Sequence, residues 1–475
     1  MPRLLFTAAL LLVSAAPTLA QAAPGDSSST PPTTASVATD ARAAAAVDTS
    51  RVSADAPSVL TLESALAEAQ QNNRLIKISN QNVLFANDEI LAARTQRYPH
   101  FDVNISGSYL LTAVHVHIPE GVFGKVGTEP VPSTNSVITT SPSASALSFI
   151  QVQQPLTKLY DVHLNVQLLK VGKQLSQEEL RQQRQEITNS VKSAYYSLLQ
   201  SQSALQAAQE NVQALSEVDR TTEQYVQQKA ALPYQGAGVK VQLAQAELQV
   251  TTLEDTIETQ KENLNNLMGR DIREDFQLSG VPDALPEEQN LELARQTALG
   301  SRTEIRQAQF KIDQALYARR LQKAQYIPEI GIQYLFFSPF TVSGLPTNVN
   351  SLGIHLKWDI YDWGQKRHLL DEKDRNIEQS HLNLTETQSQ VVIDLDNRFR
   401  KLREARASLK VAQLGEDAEK QKLQVVLEQY KEKAALLSTL QTEQSNMAQT
   451  SAQYQQALSN FWTARAEFEK ALGED

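Results

Sequence analysis

Lys173–Leu232 reads KQLSQEELRQQRQEITNSVKSAYYSLLQSQSALQAAQENVQALSEVDRTTEQYVQQKAAL, without a glycine or a proline. Most of these residues are good helix formers. Apolar or small residues fall at Ile187, Val191, Ala194, Leu198, Ser201, Leu205, Ala208, Val212 and Leu215. Their steps alternate between four and three, which keeps one face of a helix against partner helices. At about 1.5 Å per residue the helix is roughly 90 Å long. That is a coiled-coil rod, not a globular helix.

The rod occurs twice. Moving residue 229 onto 433 lays Lys229-Ala230-Ala231-Leu232 on Lys433-Ala434-Ala435-Leu436. The same displacement puts Leu198 on Leu402, Leu205 on Leu409, Ala244-Gln245 on Ala448-Gln449 and Gly269 on Gly473. No gap is needed from about residue 155 to the C-terminus, so the register indicates an internal duplication. The expected division is a first repeat over 58–280 and a second over 281–475.

Upstream of the rods, Arg3, the apolar run Leu4 to Ala16 and the ending Thr18-Leu19-Ala20 read as a secretory signal peptide over 1–20. Residues 21–57, rich in Ala, Ser, Thr and Pro, read as a disordered linker. No other stretch approaches the about twenty apolar residues of a membrane-spanning helix, so a membrane would have to be crossed by strands. The net charge is −10 with mixed signs, which argues against nucleic acid as the main partner. With no cysteine, disulfides and thiolate metal sites are excluded.

Strands are indeed legible. After a helix from about Thr61 to Arg97, stopped at Tyr98-Pro99, the residues Phe101, Val103, Ile105, Gly107, Tyr109 and Leu111 alternate with Asp102, Asn104, Ser106 and Ser108. A loop over about 113–144 and a strand from about Leu147 to Gln154 follow. In the second half a helix from about Leu291 ends at Pro328. There Ile330, Ile332, Tyr334 and Phe336 share a strand face opposite Gln333. The return strand sets Leu352, Ile354, Leu356, Trp358 and Ile360 against His355, Lys357 and Asp359. Strands of about nine to eleven residues cross an outer-membrane-type bilayer. Asp102, Asn104, Ser106, Ser108, Gln333, His355 and Lys357 are therefore expected to line a water-filled lumen. Phe101, Tyr109, Tyr334, Phe336 and Trp358 are expected on a lipid face with aromatic ends. Four strands would leave two open edges in lipid, so several chains must share one barrel. A long arm from about 158 to 229 is matched by helices over about 237–268 and 61–97 stacked end to end.

Leu60-Thr61-Leu62 with Ala65-Leu66, Ala69 and Asn73, then Ala92-Ala93-Arg94 before Tyr98-Pro99, open the first half. Ile360-Tyr361-Asp362-Trp363-Gly364 and Phe468-Glu469-Lys470-Ala471-Leu472-Gly473 mark the second. In this order the motifs resemble the TolC-like outer-membrane efflux channels over residues 59–475. The resemblance implies a mainly α fold with a membrane β-barrel contribution: a homotrimer with a twelve-stranded barrel and a helical periplasmic tunnel. It implies docking on a periplasmic adaptor and an inner-membrane pump, a setting in outer-membrane lipid, and no chemistry of its own. In that family adaptors contact the hairpin tips. This makes Lys229, Ala230, Ala231, Leu232, Lys433, Ala434, Ala435 and Leu436 the candidate docking residues. Tyr430 stands where a gate tyrosine is found and is the candidate aperture residue. The chain departs from the pattern with Lys229 and Lys433 for the turn glycines, Gln235 and Thr439 for the following aspartates, and Ala435 for a gate arginine.

No nucleophile elbow, phosphate loop or His-Glu-x-x-His segment occurs, so no enzyme and no cofactor is expected. His115 and His117 are two apart in a polar loop with no third ligand near in sequence. Two other readings fit the heptads: a periplasmic coiled-coil adaptor, and a structural rod without a pore. Neither accounts for duplicated strand pairs with aromatic ends.

Overall fold

The computed structural model describes residues 59–140, 144–229, 232–280, 290–339, 348–432 and 434–473. The chain divides into Met1–Asp55, where the expected signal and linker lie outside the described residues, and the compact unit Ala56–Asp475.

β1 (Val59–Leu60) leads into α1 (Leu62–Asn72) and α2 (Arg74–Thr95). Thr61 and Ser64 cap α1 reciprocally: the Ser64 amide donates to Thr61 Oγ1 (3.2 Å) and the Thr61 amide to Ser64 Oγ (3.0 Å). The single helix expected over 61–97 is thus two. At the break, Asn73 leaves helical geometry (φ −57°, ψ 131°) and its side chain accepts from the amides of Leu75 and Ile76. Asparagine competes locally with the backbone in this way, and helical periodicity conceals it.

β2 (His100–Tyr109) follows. The loop expected over 113–144 contains paired strands: β3 (Val114–Ile118) with β6 (Ser136–Thr140), and β4 (Lys125–Val126) with β5 (Glu129–Pro130). Valine and isoleucine at alternate positions of β3 supply the β-branched side chains that pairing favours. β7 (Ala144–Pro155) returns toward α3 (Lys158–Gln227), a 70-residue helix, and is longer than the expected 147–154. α4 (Pro233–Met268) begins four residues before the expected 237, because proline fits the first helical turn. β8 (Gln277–Leu278) pairs in parallel with β1.

The second half repeats the plan: α5 (Leu291–Ser301), α6 (Thr303–Ala324), β9 (Glu329–Pro339), β10 (Val349–Lys357), α7 (Gln365–Lys431) and α8 (Leu437–Leu472). The helix expected from Leu291 breaks at Arg302, as its counterpart does at Asn73. β10 stops at Lys357, so Trp358 and Ile360 lie past the expected strand's observed end. Gly269 and Gly473 end α4 and α8 with φ of +77° and +79°.

The larger core forms where α3 meets its neighbours. Ile187, Val191, Tyr195 and Leu198 of α3 pack with Leu264, Met268, Phe276, Phe461 and Trp462. The buried Tyr195 hydroxyl lies 2.7 Å from the Ser279 carbonyl and 3.2 Å from that of Leu60, tying the β1–β8 pair to the rod. Ala294, Ala298, Val391, Leu395 and Phe468 form a second core in the later repeat.

Nearer the tips the repeats differ. Leu215 of α3 is partly buried, and Val218 of α3 and Val239 of α4 are buried. The 204-residue displacement replaces them with Glu419, Lys422 and Glu443. Lys422 pairs with Glu443 and lies 3.4 Å from Glu419. Hydrogen bonding from Lys422 foremost, with Asn446 also donating, holds the Glu443 carboxyl below its ordinary pKa.

Candidate functional site

β2, β7, β9 and β10 form one antiparallel sheet in the order β10-β9-β7-β2. Pairing fixes which side chains share a face, because successive residues point to opposite sides. Asp102 lies opposite Gln151, Asn104 opposite Phe149 and Ser106 opposite Leu147. Gln151 then lies opposite Leu335 and Gln153 opposite Gln333. Gln333 faces Gly353, while His355 faces Gly331 and Lys357 faces Glu329. Followed across the strands, Asp102, Asn104, Ser106, Ser108, Gln333, His355 and Lys357 all fall on one side. Phe101, Tyr109, Tyr334 and Phe336 fall on the other, where Phe101 opposes Val152, Val152 opposes Tyr334 and Tyr334 opposes Leu352. Trp358 lies one residue beyond β10.

The polar side also carries residues that alternation alone did not select. Gln151 and Gln153 join it, and so do Phe149 and Phe337, whose ring centroids are 4.9 Å apart near the loop end. β7 has the run Phe149-Ile150-Gln151-Val152-Gln153-Gln154, too irregular for its faces to be assigned before its partners are known. At the helix end, His100 Nε2 lies 3.1 Å from Asp102 and Lys158 Nζ lies 3.6 Å from Glu329. His355 Nδ1 has no hydrogen-bond partner among the described residues.

Strand-to-helix junctions hold the sheet on the rods. Thr157 Oγ1 donates to the Pro328 carbonyl (2.8 Å) and accepts from the Ile330 amide (2.9 Å). Asp362 accepts from the amides of Gly364 (3.0 Å) and Lys366 (2.9 Å), and the Lys366 bond in particular holds its carboxyl below the ordinary range.

At the far end of the rods, Lys229 follows α3 in the left-handed region with φ +55°. Its amide donates to the Val226 carbonyl at 3.0 Å. The Leu232 amide donates to Gln235 Oε1 at 3.0 Å, and Pro233 begins α4. Leu232, Tyr234 and Leu436 are exposed there. The Ala434 and Ala435 amides both donate to the Gln429 carbonyl, at 2.8 and 3.3 Å. Ala230, Ala231, Lys433 and the Tyr430 side chain lie outside the described residues.

His115 and His117 lie on β3, not in a loop, and His115 Nδ1 is 3.0 Å from Thr139 Oγ1. No cluster of three metal-ligating side chains occurs among the described residues, and no described helix is long and apolar enough to cross a membrane.

This architecture has solved counterparts. The CmeC outer membrane channel of Campylobacter jejuni superposes with a TM-score of 0.70 at 16% identity, covering 87% of this chain and 85% of its own. The outer membrane protein VceC of Vibrio cholerae gives 0.65 at 14%, covering 87% and 96%. The MtrE outer membrane channel of Neisseria gonorrhoeae gives 0.66 at 15%, covering 87% and 89%. No relative is found among curated proteins. At such identities the likeness concerns the fold. The sequence profile of the family described as "Outer membrane efflux protein" matches residues 65–270 and 294–474, most of the chain. The chain therefore belongs to the outer membrane efflux protein family, whose members are efflux channels of the outer membrane.

Proposed function

We propose that the chain forms the exit duct of a tripartite export system as a homotrimer, its three sheets joined in one twelve-stranded barrel. One observation carries this reading. The four-stranded sheet has two open edges, β2 and β10; β2 follows α2 and β10 leads into α7, both helices with exposed apolar residues. Unpaired strand edges in lipid would leave amides and carbonyls without partners, and a ring of copies removes every edge. Asp102, Asn104, Ser106, Ser108, Gln333, His355 and Lys357 would wet the lumen, and Phe101, Tyr109, Tyr334, Phe336 and Trp358 would meet lipid. The tips around Lys229 and Leu436 would meet a periplasmic adaptor, with an inner-membrane pump supplying the energy. Tyr430 is the proposed aperture residue.

The test is to express the chain in a Gram-negative host, extract it from the outer membrane and measure particle mass and planar-bilayer conductance. A conducting trimer is the expected result. A monomer without conductance would overturn the reading.

A further inference from the structure

Two displacements relate the halves of the chain. Adding 229 carries α1, α2 and the start of β2 onto α5, α6 and β9, and adding 204 carries α3 onto α7 and α4 onto α8. Applied together they map the β2–β7 register onto β9–β10 without slip: Asn104 opposite Phe149 becomes Gln333 opposite Gly353. A single chain contains one junction between repeats, β7 with β9. The complementary junction, β10 to β2, has no partner within the chain.

We propose that the internal junction is the template for the seam between copies, so that β10 pairs with a partner's β2 in one defined register. This rests on the ring reading above and adds its residue pairs. Gln153 opposite Gln333 maps to Lys357 opposite the partner's Asn104. Gln151 opposite Leu335 maps to His355 opposite the partner's Ser106, and Val152 opposite Tyr334 maps to Leu356 opposite the partner's Ile105. These three pairs keep polar with polar and apolar with apolar, while the ends of the same register set Ser351 opposite the partner's Leu110 and Asp359 opposite the partner's Asp102. A slip by one residue would reverse the faces.

The helices carry the same displacement. Inside the chain α3 meets α6 through Gln182 and Gln307 (2.8 Å), Gly172 beside Gln314, and Glu178 with Arg306 (3.5 Å). Their images are Glu386 with the partner's Ile78, Asn376 with the partner's Phe85, and Leu382 with the partner's Lys77. Ile78, Phe85 and Leu382 are 58%, 62% and 66% exposed in the single chain. Polar positions of the internal junction thus become large apolar side chains at the positions the seam would cover. The ion pair Lys158–Glu329 maps to Asp362 with the partner's His100, acid and base exchanged. The Leu156 amide, which donates to Ile330 O at 2.9 Å, maps to Ile360 donating to the carbonyl of the partner's Phe101. That accounts for Ile360 and Tyr361, 78% and 72% exposed with no strand partner in the single chain.

The register has a consequence for the lumen. It brings Lys357 and Asp359 of one copy beside His100, Asp102 and Asn104 of the partner, so charge gathers at each seam.

The chain has no cysteine, so introduced pairs report cleanly. Directly opposed strand residues lie about 4.5–5.5 Å apart between Cα atoms, within disulfide range, whereas diagonal neighbours at about 7–8 Å lie outside it. Ser106→Cys with His355→Cys, and Ile78→Cys with Glu386→Cys in the periplasmic helices, are expected to give covalent dimers and trimers on a non-reducing denaturing gel. Asn104→Cys or Ser108→Cys with His355→Cys is expected to remain monomeric there. Cross-linking by a shifted pair in place of the direct one would overturn the register while leaving the ring intact. So would absence of every cross-link in a particle of trimer mass. A monomeric particle from the unsubstituted chain would overturn the ring itself, and the seam with it.

Discussion

A Cβ built on Gly269 would lie 2.5 Å from the carbonyl oxygen of Asn72. The end of the return helix α4 therefore sits directly against the break between α1 and α2, where only glycine fits. Gly473 holds the matching place against Ser301. Gly269→Ala should therefore lower stability by more than about 1 kcal/mol, since both the clash with backbone and the positive φ oppose it. Gly238→Ala, inside α4 with nothing near its Cβ, should instead raise stability by up to about 1 kcal/mol. Thermal unfolding of the detergent-solubilised protein separates them; equal shifts for both would refute the packing argument.

Tyr195→Phe tests the clamp on the short parallel strand pair. The change keeps the ring in its core and removes only the hydroxyl near the Ser279 and Leu60 carbonyls. A loss of about 1–3 kcal/mol is expected, with hydrogen exchange rising first at Ser279, whose amide donates to Leu60 O. An unchanged melting temperature would show the hydroxyl to be idle.

Glu469 gives the repeats a dependence on acid. Burial pushes its carboxyl up, yet Lys192 (2.6 Å) and Arg465 (2.8 Å) overrule it and hold it below the ordinary 4.5. A depressed folded pKa contributes stability that is present above the unfolded value and lost as pH falls through the folded one. Melting temperature should hold steady from neutral pH down to about 5 and fall beneath 4.5. Glu469→Gln should cost about 1–3 kcal/mol at neutral pH and weaken the acid dependence. The same acid slope in the variant would exclude Glu469 as a source.

Lys229 occupies a left-handed position that costs a side-chain residue about 1–2 kcal/mol. Lys229→Gly should relieve it and raise stability by up to about 1 kcal/mol, offset in part by the freer unfolded chain. A valine at the same place should lower it. Unfolding curves showing both variants on the same side of the parent would exclude strain at this turn.

Much of this fold lay open in the sequence, because its periods are long and its punctuation strong. The rod from Lys173, the proline stops at Pro99 and Pro328, and the alternation in β2 and β10 each state a local preference that packing does not override. The break at Asn73 stayed hidden, since one capping side chain does not disturb a helical period. Its counterpart Arg302 has no capping side chain and is recognised only through the 229-residue displacement. The pairing inside 113–144 was masked by the glycines and prolines around it. Face membership in β7 needed the register itself: Phe149 and Gln151 share a side only once their neighbours on β2 and β9 are in place. The tip residues were found as a repeated string, which says where the chain turns but nothing of what it touches.

The layer at Glu419, Lys422 and Glu443 makes the two halves of the rod unlike in kind. Where Leu215, Val218 and Val239 exclude water, contact tightens with salts that strengthen apolar burial. Where Lys422, about half exposed, holds two carboxylates between α7 and α8, added salt screens the attraction instead. One solute thus acts in opposite directions on two hairpins descended from the same segment. Added sulfate or phosphate would loosen one and firm the other.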